Sequence, residues 1–234
     1  MPYQKSSARK NFDQEIDKMI SIIRATYRNK VASQDTKEYV LSCAIMLTSA
    51  KLEGYFQDFF DTWIQKVNGA GLTVNKLPLN LRALYLNQVF LANAFKKLLY
   101  EKNEAQFIES LAAQITDSHF HLTDDLKPIP NLLSKAIYHE RKYPSPDNVK
   151  AMFKRLGFKN IFHQLNSSAS SDIENTLKSF NDFRTAIAHI GIPTGINDRD
   201  VIDKLKSVKT IVYYIDKELF KHINRHTTTV TWTT

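Results

Sequence analysis

From Val201 to Ile223 one signal repeats without a break. Val201, Leu205, Val208, Val212, Ile215, Leu219 and Ile223 recur three or four positions apart. That spacing stacks them in a single stripe along a helix beginning near Asn197 or Asp198, because an α-helix returns to the same face every three to four residues. A stripe this regular has to be covered, either by the chain's own core or by the seam of a dimer.

The same period recurs upstream. A first helix from about Ser7 to Lys30 sets Ile16, Met19, Ile20, Ile23 and Tyr27 against a charged face. A second, capped at Asp35 or Thr36, runs to about Val67 with Val40, Leu47, Leu52, Phe56, Phe59, Phe60 and Trp63, and Asn68-Gly69-Ala70-Gly71 ends it. After Pro78 a third helix carries Leu81, Leu84, Tyr85, Val89, Phe95 and Leu98 to about residue 102, and a short one follows over about 104–115. Pro128, Pro130, Pro144 and Pro146 then break up residues 116–146, which read as an irregular, proline-rich insertion. Residues 146–157 spell a complete short helix, with an N-cap at Asp147, apolar side chains at 149, 152, 153 and 156, and Gly157 as its stop. A polar, serine-rich turn follows at Asn166–Ser171.

Only six glycines occur in 234 residues, which suits helices better than tight β-turns. The expected fold is therefore all-α: an antiparallel helical bundle in one domain over residues 1–234, with extra short helices, the insertion, and a tail at 227–234. The 43% hydrophobic content supplies a core and argues against disorder. A lone cysteine, Cys43, excludes a disulfide framework. The first thirty residues hold no apolar signal core, and no apolar run approaches the roughly 18 residues a membrane helix needs. A soluble, cytoplasmic protein with no membrane partner is expected.

Lys and Arg outnumber Asp and Glu, 32 to 24, so anionic partners are favoured. On the 146–157 helix Lys150, Lys154 and Arg155, with nearby Lys159, lie off the apolar face. They are candidate RNA contacts, although such a row also suits a merely solvated face. No glycine-rich phosphate loop, Cys-x-x-Cys pair, His-Glu-x-x-His or nucleophile-elbow motif is present. Glu218, His222 and His226 share a helix face, and His119 and His121 form a loose pair, but neither group completes a metal ligand set. Neither metal nor cofactor is expected.

The sharpest candidate chemistry lies just upstream of Gly191 and Pro193. Ser171-Asp172-Ile173-Glu174 is a capping-box pattern that opens a helix, and Ile173, Leu177, Phe180 and Ile187 mark its apolar face. Arg184 falls in the middle of that face, where a cation needs a partner or a wet cleft. Asn181, Thr185 and His189 run beside it, and at about 100° per residue Arg184 and His189 stand about 140° apart. One group is permanently charged, and the other is a histidine, the side-chain type that can exchange a proton near physiological pH. Glu53, among aromatics in Leu52-Glu53-Gly54-Tyr55-Phe56, is a candidate carboxylate to pair with Arg184 across the bundle.

Arg184-Thr-Ala-Ile-Ala-His189 resembles the R-x4-H signature of HEPN domains (higher eukaryotes and prokaryotes nucleotide-binding). The stretches Leu52–Phe59 and Tyr143–Gly157 are similar to the RiboL-PSP-HEPN branch, so the resemblance spans roughly residues 38–220 in consistent order. It implies an all-α homodimer in which two R-x4-H helices meet in a shared cleft. It also implies metal-independent RNA cleavage in a toxin, abortive-infection or other phage-defence setting. Arg184 would then stabilise the phosphorane and His189 would serve as general acid/base, with Asn181, Thr185 and Glu53 supporting them. The motif departs from the family's usual pattern at Thr185, which hydrogen-bonds without carrying charge, and at Ile190, which stands before Gly191. The alternative implied by the family is a non-catalytic scaffold that assembles with an antitoxin, a nucleotidyltransferase or another defence protein.

Overall fold

The stripe from Val201 to Ile223 is covered by the chain's own helices. In the computed structural model, which describes residues 2–86, 121–138, 143–227 and 231–232, all seven side chains of the stripe are almost completely buried. The choice between core and dimer seam is thereby settled for this face. Burying each such side chain contributes about 1.5–3 kcal/mol, enough for the last helix to organise the others around it.

Eight α-helices occur among the described residues, and no strand. They are α1 (Ser7–Arg28), α2 (Gln34–Gly69), α3 (Leu79–Leu86), α4 (Lys135–Tyr138), α5 (Pro146–Arg155), α6 (Ile161–Ala169), α7 (Ile173–Ile190) and α8 (Asp198–His226). The all-α expectation holds. Helix α1 packs on α2 and α8, and α7 packs on α2, α6 and α8. Aromatic side chains of α2, from Tyr55 to Trp63, fill the centre.

Local chemistry explains most of the boundaries. Ser6, Ser33, Ser145, Asn160, Asp172 and Asn197 each cap a helix by accepting a backbone N–H. Three of these differ from the caps expected at Asp35 or Thr36, Asp147 and Ser171. In α5 the difference follows from Pro146, whose fixed φ suits the first helical position and leaves Ser145 as the cap. In α7, Asp172 accepts from the amide of Asn175 at 3.0 Å, and Glu174 is left to pair with Lys150. Helix α6 takes up much of the expected 166–171 turn; Asn160 caps it, and it stops at Ser170 in the left-handed conformation.

Leu47, expected in the α2 core, is 50% exposed, because it sits about 140° away from the stripe made by Leu41, Ile45 and Leu52. Part of the expected insertion is well built. Leu132, Ala136 and Ile137 are buried, Tyr85 donates to the carbonyl of Leu133, and Ser134 and Tyr138 both donate to Asp61. The expected tail also reaches the core: Thr231 and Trp232 are buried, and the Trp232 ring packs against Phe59 and Phe220. The third helix beyond Leu86, the helix expected at 104–115, and His119 lie outside the described residues.

One buried charge fastens the N-terminal segment to the core. The carboxylate of Asp216, on α8, is fully buried and accepts from Tyr3 Oη at 2.7 Å, Ser6 N at 3.1 Å, Ser6 Oγ at 2.5 Å and Tyr55 Oη at 3.0 Å. Four donors on one carboxylate satisfy the lone pairs that burial removes from water. Both phenols are pushed above the usual tyrosine range, first by burial and then by the Asp216 charge. The cluster therefore carries its negative charge on Asp216 and keeps its tyrosines as donors.

Candidate functional site

Helix α7 carries the R-x4-H motif in its last turns, and Gly191 ends it at φ 77°, a conformation that glycine adopts without strain. Ile173, Leu177, Phe180 and Ile187 are buried as the spacing predicts. Arg184, on the same stripe, is half-buried, and its Nε is enclosed with no hydrogen-bond partner. His189 and Thr185 are exposed. The pair thus consists of one cation set into the wall of the bundle and one imidazole at the helix end.

The expected ion pair between Glu53 and Arg184 is not formed. Glu53 is half-buried on α2, but neither Arg184 nor His189 takes part in any ion pair among the described residues. Arg184 packs instead on an aromatic ring, with Cζ 5.6 Å from the centre of Tyr143. Asn181 is buried beside it; Nδ2 donates to the carbonyl of Pro144 at 3.2 Å, and Oδ1 has no partner. Tyr143 is the site neighbour that sequence reasoning missed. Helical periodicity has no purchase on it, since it lies in the loop before α5. The available signs were its place at the head of the Tyr143–Gly157 stretch that resembles the family, and in the Tyr143-Pro144-Ser145-Pro146 run, whose prolines restrict the backbone.

The four basic candidates separate into two kinds. Arg155 is turned inward and donates to the carbonyls of Ala136 and Ile137 at 3.2 and 2.7 Å, which ties α4 to α5. Lys150 is paired with Glu174, and that hydrogen bond favours its charged form. Lys154 and Lys159 are exposed and make no ion pair among the described residues. The contacts Pro144 to Asn181 and Lys150 to Glu174 make α5 antiparallel to α7. Lys150 therefore sits about 15 Å from Arg184 along α7, and Lys154, one turn further along the antiparallel α5, lies on the side away from the motif.

Two of the loose metal candidates, Glu218 and His222, are otherwise engaged. Glu218 accepts from Ser168 and Lys221, each through Oε1. His222 Nε2 lies 2.7 Å from the carbonyl of Leu156, and its ring stacks on Phe158 at 4.1 Å. Burial pushes His222 down to about 4 against the opposing bond to Leu156, and His226 and Arg225 add smaller lowering contributions. Such a residue is a packed, neutral side chain at ordinary pH.

An all-helical bundle that presents an arginine and a histidine five residues apart at the end of one helix is the arrangement of a HEPN domain. The chain belongs to the RiboL-PSP-HEPN family, whose match covers residues 10–221. No curated protein and no solved structure shows significant similarity to it. Membership carries the general expectation of a nuclease or RNA-related role. No helix among the described residues is long and apolar enough to cross a membrane.

Proposed function

We propose that this protein is a metal-independent endoribonuclease of the toxin, abortive-infection or phage-defence type, acting in the cytoplasm as a homodimer. The observation that carries the reading is the state of Arg184: a permanent cation with no carboxylate partner among the described residues, on the same helix end as an exposed histidine. An arginine kept free of counter-charge retains its full attraction for a phosphate.

The chemistry follows from those two groups. The ribose 2′-hydroxyl attacks the adjacent phosphorus as a base removes its proton, and the 5′-oxygen leaves after taking up a proton. Imidazole performs such transfers near neutrality, so His189 is assigned the general acid/base role. Arg184 stabilises the added negative charge on the phosphorane oxygens. The products are a 2′,3′-cyclic phosphate and a 5′-hydroxyl. Because the two residues lie about 140° apart on one helix, a second copy of α7 completes the cleft by facing one protomer's Arg184 with its partner's helix end. Asn181 supports the wall beside Arg184, and Thr185 supplies a neutral hydroxyl at the cleft edge. Glu53, unpaired with Arg184, is kept as a supporting group only through its place on α2, which packs against α7.

To test this, RNA and the same sequence made as DNA are incubated with the protein in chelator. Cleavage of RNA alone, with cyclic phosphate ends, supports the reading; equal cleavage of DNA, or none of RNA, rejects it. A second reading, a non-catalytic scaffold for an antitoxin, nucleotidyltransferase or other defence partner, draws support from Ile190. That side chain is 75% exposed directly beside His189, as befits a protein contact. It requires a tight complex without cleavage.

A further inference from the structure

Among the described residues no carboxylate pairs with Arg184, and the ring of Tyr143 lies against its guanidinium. We infer that Tyr143 is its positioning residue: the ring holds the guanidinium in place and leaves its charge uncancelled. This inference rests on the reading of Arg184 as the cation that meets the RNA phosphate.

The physical distinction is between two ways of fixing an arginine. A carboxylate orients the guanidinium through paired hydrogen bonds, but it also neutralises the field a phosphate would feel. An aromatic face attracts the same cation through its quadrupole and carries no net charge. Arg184 Cζ stands 5.6 Å from the Tyr143 centroid, and no ion pair among the described residues includes it. The enclosed Nε fits this arrangement, since it marks the side of the guanidinium turned into the protein.

The loop that carries the ring is itself fixed, as a positioning role requires. The carbonyl of Tyr143 accepts from Ser145 N at 2.8 Å and from Asn148 Nδ2 at 2.7 Å. The carbonyl of Pro144 accepts from Asn181 Nδ2, three residues before Arg184 on the same helix. That last bond sets the separation between the ring's loop and the guanidinium's helix. Ser145 then caps α5, with Pro146 at its start, so the segment has little freedom to withdraw.

The test reads Arg184 directly. The Nε–H signal of Arg184 is assigned by its loss in Arg184→Lys, and its hydrogen exchange is measured by NMR in wild type, Tyr143→Phe, Tyr143→Leu and Tyr143→Gln. Two non-aromatic variants are used so that a folding defect in one leaves the comparison intact. Tyr143→Phe should exchange as wild type does, whereas loss of the ring should speed exchange by about twofold to thirtyfold, the factor a cation–π contact is worth. Single-turnover RNA cleavage should fall by a similar factor in the non-aromatic variants and be rescued by phenylalanine. Unchanged Nε exchange without the ring, or a phenylalanine variant that behaves like leucine, overturns the positioning role. A wild-type protein that cuts no RNA removes the ribonuclease reading, and Nε exchange still decides the role of Tyr143.

Discussion

Asn181 donates from Nδ2 to the carbonyl of Pro144 at 3.2 Å and so joins the helix of the R-x4-H motif to the loop of Tyr143. Beside that bond, Asn181 Oδ1 and Arg184 Nε are buried without partners. Unsatisfied buried polar atoms cost stability, and proteins retain them where another demand outweighs that cost. Arg184→Met keeps the length of the side chain and removes the orphaned donor and the charge. It should raise unfolding stability by about 1 kcal/mol in urea titration while RNA cleavage is lost. A stability loss of that size would instead make Arg184 a structural residue and favour the scaffold reading.

Asp216 shows the opposite balance, a buried charge with every need met. Asp216→Ala leaves Tyr3, Ser6 and Tyr55 without their acceptor in the core. Stability should drop by about 3 kcal/mol or more, and protease should reach the N-terminal segment first. Limited proteolysis with mass spectrometry checks the second point. Cleavage confined to other loops would show that the cluster does not anchor the segment.

His222 makes the fold sensitive to mild acid. Burial holds it neutral down to about 4 in the folded protein, against an ordinary value of 6.5. Between those two values the unfolded chain binds a proton that the native state refuses, so stability rises with pH across this window and is lost as pH falls through it. The penalty is absent above pH 6.5 and reaches about 3 kcal/mol near pH 4. Thermal melts from pH 7 to 4.5 should show this loss, and His222→Gln should flatten the part of the slope that His222 contributes.

The basic residues around α5 should separate by measurement as they do in space. Lys154→Ala with Lys159→Ala should leave the melting temperature unchanged and weaken RNA binding, lowering the salt dependence by about 0.7 for each phosphate no longer neutralised. Arg155→Ala removes donors from the carbonyls of Ala136 and Ile137 and should cost about 1–2 kcal/mol of stability. A salt slope untouched by the double lysine change would confine RNA recognition to the α7 cleft.

Periodicity makes the fold legible where one helix face is continuous. The stripes of α1, α7 and α8 are readable because a buried face repeats every 3.6 residues whatever it packs against. Arg184 stands out for the same reason, as a charge in a stripe of known phase. Loops have no such period. Tyr143, Ser145 and the segment 131–138 take their positions from long-range contacts, such as Asn181 to Pro144 and Arg155 to Ile137, that no local pattern encodes. The Glu53 pairing fails for a related reason: sequence sets both residues on core-facing helices, but only packing decides which neighbour fills the space. Trp232 is a further case, since a threonine-rich terminus looks frayed until its single indole finds Phe59 and Phe220.

The central claim is that Arg184 and His189 act together on RNA without metal. It is tested most directly by single-turnover cleavage of a defined RNA in chelator by wild type, Arg184→Ala and His189→Ala, each first shown to be folded. Wild type should cut and leave a 2′,3′-cyclic phosphate, and each variant should lose at least about a hundredfold in rate, as expected for removal of a general acid/base or an oxyanion stabiliser. Cleavage that persists in both variants, or that appears only when divalent metal is restored, would contradict it.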